Sequence, residues 1–195
     1  TATFNLQGKS ASGIDWRVYG LTASWSISQP RYTVLPPSTF NVAVTTSGSA
    51  AAISVTLPPS ASNLYSMFGT AAAPMSFPPS TQMATGSNLG PPIVINVPGQ
   101  GNINQDDSWV TIGDPVPAGN QLDSVGLSFS TWTSTSRLST ANGAVMLMTP
   151  TNLPSGTVKL AQLNTGNGNF TATFNLQGKS ASGIDWRVYG LTASW

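Results

Sequence analysis

The first 25 residues, Thr1 to Trp25, recur without one change as the last 25, Thr171 to Trp195. Most surface positions tolerate substitution at little cost, so natural tandem repeats diverge. An unbroken identity of this length therefore points to very recent duplication or to engineering, and engineering is the preferred source. The alternative is a stretch taken from an array whose period is 170 residues. Only this piece recurs, which excludes a solenoid, since stacked repeats need three or more units to close a core.

The repeated piece reads as a β-hairpin. Ala2, Phe4 and Leu6 share one parity, GKSASG from Gly8 to Gly13 supplies a loop, and Asp15 to Ile27 forms a longer second strand. Within that strand Trp16 and Val18 are even, whereas Tyr19, Leu21, Ala23, Trp25 and Ile27 are odd. The inward face thus switches near Gly20, where a β-bulge would absorb the extra residue. A physical reason exists for supplying such a hairpin twice. If an assembly exchanges it between neighbours, an isolated subunit lacks a strand pair and exposes an apolar sheet edge; a second copy in the same chain fills the gap.

The remaining apolar residues also alternate, and nowhere keep a helical period long enough for more than a turn or two of helix. Phe40, Val42 and Val44 predict a strand, as do Ile53, Val55 and Leu57, and again Ile93, Ile95 and Val97. Short runs at Trp109 to Ile112, Val125 to Phe129, Ala144 to Met148 and Val158 to Leu160 add others. Asn164 to Asn169 is a turn leading into a strand through Phe170, Ala172, Phe174 and Leu176. The expectation is an all-β, antiparallel β-sandwich of jelly-roll or Ig-like type, with about ten strands, completed by a terminal hairpin. Its predicted divisions are a first hairpin at 1–25, a Pro-containing hinge at 26–39, a sandwich core at 40–170 and the second hairpin at 171–195. Pro58 to Pro92 is too long for a routine connection, and reads either as a functional surface loop or as loops hiding a short strand.

Charged residues are only 7% of the chain, against about 25% in an ordinary soluble domain, so its surface is one of hydroxyls and amides. Seven Lys and Arg balanced by six acidic residues leave no basic face for nucleic acid or for an anionic membrane surface. No run approaches the ~18 apolar residues that span a bilayer, and no signal peptide is read at the start.

Cysteine and histidine are absent, and every acidic residue is Asp. Ser-His-Asp triads, Cys-His pairs and zinc sites with His or Cys ligands are thereby excluded. Asp15 and Asp185 are one residue in two copies, so Asp106, Asp107, Asp114 and Asp123 are the independent carboxylates available to a glycosidase-type pair. Catalysis ranks last, and no enzyme activity or cofactor is expected. In NINQDD, Asn102, Asn104, Asp106 and Asp107 gather oxygen donors as a candidate calcium site; it lacks the glycine and terminal glutamate of an EF-hand, and a polar turn is favoured. Trp109 and Trp132 are candidate platforms for stacking sugars, with core placement favoured for rings of this size. Arg17 and Arg187 alternate with apolar neighbours and are expected on the solvent side.

The segment TATFNLQGKSASGIDWRVYGLTASWSISQP, with Trp25-Ser26 ahead of Pro30, resembles the end of the shell domain in capsid proteins of nodavirus- and tombusvirus-like icosahedral viruses. That resemblance implies a protruding β-sandwich on the virion surface, used for subunit contacts and host attachment. LTASWSISQP followed by YTVLPP also resembles the donor strand of a chaperone-usher pilin, which implies a self-complemented fimbrial subunit. Both expectations are of a non-enzymatic structural module whose partners are copies of itself through the duplicated hairpin, with a host receptor or glycan as a further partner. Its expected place is the virion surface or, alternatively, the cell surface. A glycan- or calcium-dependent adhesin module is the third reading.

Overall fold

The computed structural model describes residues 2–24, 32–83, 88–97, 101–149, 151–166 and 168–195. The chain divides into two compact units, Thr1–Arg31 and Tyr32–Trp195. The first is a hairpin of β1 (Ala2–Lys9) and β2 (Asp15–Ala23). Phe4 pairs with Leu21 and Leu6 with Val18, so one extra residue sits on β2. The bulge falls at Gly20, whose φ is 70°, as the parity switch predicts. The Gly20 amide donates to the Asn5 side-chain oxygen at 2.9 Å, satisfying the group that the bulge unpairs. Ile27 and its neighbours in the predicted continuation of this strand lie outside the described residues.

The second unit is a sandwich. Its strands are β3 (Tyr32–Val34), β4 (Asn41–Ser47), β5 (Ala50–Thr56), β6 (Asn63–Gly69), β7 (Met75–Phe77), β8 (Ile95–Val97), β9 (Gly101–Ile103), β10 (Trp109–Val110), β11 (Leu122–Val125), β12 (Leu138–Thr140), β13 (Gly143–Leu147), β14 (Thr157–Leu163), β15 (Thr171–Lys179) and β16 (Asp185–Ser194). One sheet has the order β10-β14-β5-β4. The larger runs β11-β13-β6-β15-β16-β3, with β7 beside β15 and β12 beyond it. Pairing is antiparallel throughout these sheets apart from the edge, where β3 runs parallel to β16. Ile53, Val55, Val158 and Leu160 from the small sheet join Leu64, Met67, Val145, Phe174, Leu176, Trp186 and Val188 from the large one in a single core. Ile53 and Val55 alternate across outward Ser54, and Trp186 and Val188 across outward Arg187, so the period-2 pattern assigns the faces of these strands.

Several expectations change. Sixteen strands are present among the described residues, because pieces of two to four residues between turns carry too little alternation to read. The Pro58–Pro92 stretch holds β6 and β7, two buried strands rather than one, and β6 is a central member of the large sheet. Part of the predicted hinge joins the fold as β3 and a 3-10 turn at Pro37–Thr39. The strand expected at Val125 to Phe129 lies earlier, at β11, and Phe129–Thr131 is a 3-10 turn. Ile93, expected on a buried face, is 82% exposed. Asn164 to Asn169 does not join hairpin partners: it carries the chain from β14 in the small sheet to β15 in the large one.

Gly178 shows how closely β15 is held. A Cβ there would lie 1.9 Å from the Asn63 carbonyl oxygen and 2.5 Å from the Trp186 ring, which lies across the strand. At the sequence-identical Gly8 the same atom would meet only the Trp16 ring, at 2.6 Å, and that side chain is half exposed and free to swing. We expect Gly178→Ala to destabilise the sandwich by about 2–3 kcal/mol in denaturant unfolding, through overpacking against backbone. Gly8→Ala should change the same transition by less than about 0.5 kcal/mol.

Candidate interaction site: the duplicated hairpin and its groove

The identical hairpins occupy opposite environments. Phe174, Leu176, Trp186 and Val188 are 0–1% exposed, whereas Phe4, Leu6, Trp16 and Val18 are 41–47% exposed. Register, bulge and loop are the same in both, with Phe174 opposite Leu191, Leu176 opposite Val188, and a Gly190 φ of 70°. What differs is what lies beside them.

The second copy enters the large sheet as two interior strands. Asn175 to Lys179 pair with Phe68 to Asn63 of β6, and Thr173 pairs with Ser76 of β7. On its other side, Asp185 to Arg187 pair with Tyr32 to Val34, and the Leu35 amide donates to the Arg187 carbonyl at 2.8 Å. Without this hairpin, β6 and β3 would each lose a neighbour and the core would open along the gap.

Side chains key the register. The Asn175 amide group donates to the carbonyls of Phe68 at 2.8 Å and Ala73 at 2.7 Å, while its oxygen accepts from Gly190 at 2.9 Å. One Asn therefore closes the bulge and ties it to the neighbouring strand. Gln177 donates to the Tyr65 hydroxyl, and the Lys179 amide donates to the Asn63 side chain at 3.1 Å. Burial pushes the Tyr65 hydroxyl above its ordinary pKa of 10.0, with Asp185 adding to the rise against the opposing Gln177 bond. On the core side, the Phe174 ring stacks on Phe77 at 6.2 Å and Trp186 packs on Phe40 at 5.4 Å. On the outer face, Tyr189 meets Phe68 edge-on.

Arg187, expected on the solvent side, is on the outer face but half-buried: its guanidinium lies 4.3 Å from the Tyr32 ring centroid, and its Nε donates to Gln177. Arg17 is exposed. The Lys179–Asp185 ion pair closes to 2.9 Å, against 3.6 Å for Lys9–Asp15 in the free copy. Asn175 carries the groove's polar key, and the parity pattern passes over it, as over its counterpart Asn5, because each sits opposite its bulge. A glycine breaking strand parity, with an Asn 15 residues before it, is the signal that would have found them.

The other candidates sit elsewhere. Trp109 and Trp132 are each 1% exposed. Trp132 packs beside Phe77 and its indole N–H donates to the Pro78 carbonyl at 2.8 Å; Lys159 lies 4.4 Å over the Trp109 ring. Neither indole offers an open face to a sugar, so the platform expectation is corrected by burial of the rings in the sandwich. In the NINQDD segment, Asn102 lies in β9, and Asn104 is buried and donates to the Ile93 carbonyl at 3.1 Å. Asp106 accepts from the Ser49 hydroxyl at 3.2 Å, and buried Asp107 accepts from the Met83 amide at 2.8 Å. The Asn104, Asp106 and Asp107 side chains, tied to Ile93, Ser49 and Met83, form a loop anchor. Among the described residues no cluster of three or more His, Cys, Asp or Glu could hold a metal. Nor is there a helix long and apolar enough to cross a membrane.

No family model, no curated protein and no solved structure matches this chain.

Replacing Asn175 by Ala strands two carbonyls and the Gly190 amide, and we expect a loss of about 1–3 kcal/mol in unfolding free energy. Asn5→Ala should lie within about 0.5 kcal/mol of the parent chain. For the loop anchor, millimolar calcium and a chelator should give the same melting temperature; a rise with calcium would show that a cation competes for these oxygens.

Proposed function

We propose that this protein is a non-enzymatic structural module of an assembly surface, which contacts copies of itself through the duplicated hairpin. The observation that carries this reading is the contrast between the two hairpins: one sequence, buried once as interior strands of a sheet, and presented once with its apolar face to solvent. A two-stranded hairpin is marginal in water by itself. Its four large side chains, 41–47% exposed, each stand to gain about half of what burying a fully exposed side chain contributes, roughly 0.7–1.5 kcal/mol. A contiguous apolar face of this kind is a contact surface.

The setting we place first is the surface of a virion, where the sandwich serves as a protruding module for subunit contacts and host attachment. Support comes from the resemblance of residues 1–30 to the shell-to-protrusion junction of nodavirus- and tombusvirus-like capsid proteins, and from a polar surface poor in charge. The self-complemented fimbrial subunit is favoured by a specific observation, namely that Thr171–Trp195 supplies interior strands to its own sheet. In both settings the hairpin does the joining, and no catalytic group is required of it.

Sedimentation velocity over a concentration series tests the reading. The full chain is expected to associate as concentration rises, and removal of residues 1–25 to leave a folded monomer with an unchanged melting temperature. A full chain that stays monomeric, or an association that survives the removal, would count against self-contact through the hairpin.

A further inference from the structure

The described residues contain two copies of this hairpin and one groove that fits it. Because the hairpins are identical, the occupied groove displays in full the surface that the free copy matches. Phe4 would meet Phe77, Trp16 would meet Phe40, the Asn5 amide would reach the Phe68 and Ala73 carbonyls, and Gln7 would reach the Tyr65 hydroxyl, as their counterparts do. The free copy already holds the docked conformation. Its register, its bulge and the 2.9 Å Asn–Gly bond match those of the seated one, so little reorganisation opposes binding.

Chain reach decides which groove. In the seated copy Asp185 lies beside Tyr32, and pairing continues to Trp195, whose amide and carbonyl exchange bonds with Phe170. The strand climbs roughly 33 Å between those levels at its usual rise per residue. If the first hairpin took that place in its own chain, Trp25 would sit at the far level and Tyr32 at the near one. The six residues between them, fully extended, span at most about 25 Å. The full register is therefore out of reach within one chain, and within reach between two. Exchange against a hairpin already seated gains no contacts, so the acceptor is a sandwich whose own hairpin is out of place.

We propose that Thr1–Trp25 is a docking element for the sheet groove of a second copy of this chain, seated between that copy's β6 and β3 in the register of Thr171–Trp195. This rests on the reading of the protein as a self-contacting module and specifies the contact. The union is heterologous: one copy gives its N-terminal hairpin and the other its groove, so repetition extends head to tail until the rotation closes.

The test uses two full-length chains. The acceptor carries Phe4→Asp, Trp16→Asp, Phe174→Asp and Trp186→Asp, which disables both of its hairpins; the donor is the parent chain, whose groove is filled and whose first hairpin is free. Alone, the acceptor should lack a cooperative unfolding transition. Refolded together with the donor, it should recover that transition within a complex of one donor and one acceptor. A donor carrying Phe4→Asp and Trp16→Asp should rescue nothing. Docking is overturned if the acceptor folds without a donor, if the parent chain fails to rescue it, or if the disabled donor rescues it equally. A parent chain that is monomeric alone yet captures the acceptor upholds docking while removing the self-association proposed above. One that self-associates but leaves the acceptor unfolded overturns docking and leaves that association to the exposed apolar face.

Discussion

The sandwich depends on one insertion: a two-stranded hairpin seated between β6 and β3, with Phe174, Leu176, Trp186 and Val188 as its share of the core. Both hairpin strands are interior, so the same element supplies two ladders of backbone bonds and the central apolar layer. The core of the large sheet cannot close before the last segment of the chain arrives. Its contacts are long-range in sequence, since β15 pairs with β6 more than a hundred residues earlier. Such pairing carries a high loop-closure entropy and makes folding slow. Until it forms, β6 and β3 remain open edges, the condition under which strand exchange between copies competes with closure.

Sequence identity makes the two hairpins a controlled comparison. Their propensities, turns and bulges are equal, so any difference in burial or stability belongs to tertiary surroundings alone. The second copy seals the groove of its own chain and the first remains available. In the proposed function, that asymmetry supplies a giving end and a receiving surface from one piece of sequence.

Much of the fold was legible in period-2 alternation. Phe40 to Val44 and Ile53 to Leu57 turn the expected face inward in β4 and β5, the run at Ala144 to Met148 falls on β13, and the switch at Gly20 marks a real bulge. What escaped was written in weaker physical signals. β6 and β7 were hidden because Pro and Ser flank them and because Ser66 and Met67 are adjacent buried residues, which breaks the alternation. The link from β14 to β15 looked like a hairpin turn because Gly and Asn favour tight turns wherever the chain reverses; which sheet receives the next strand is a long-range matter. At the candidate site the apolar face was readable, but the anchoring role of Asn175 was not, since it depends on the Phe68 and Ala73 carbonyls of a distant strand. Trp109 and Trp132 show the converse, with aromatic area claimed by the core.

One sequence is locked in place as Thr171–Trp195 and exposed in its first copy. Native-state hydrogen exchange followed by NMR, with segmental isotope labelling to separate the copies, tests it at concentrations where the chain is monomeric. The amides of Leu176 and Val188 should exchange only through global unfolding, while those of Leu6 and Val18 exchange through local opening at far lower free energy. Equal protection of the two copies would contradict the account.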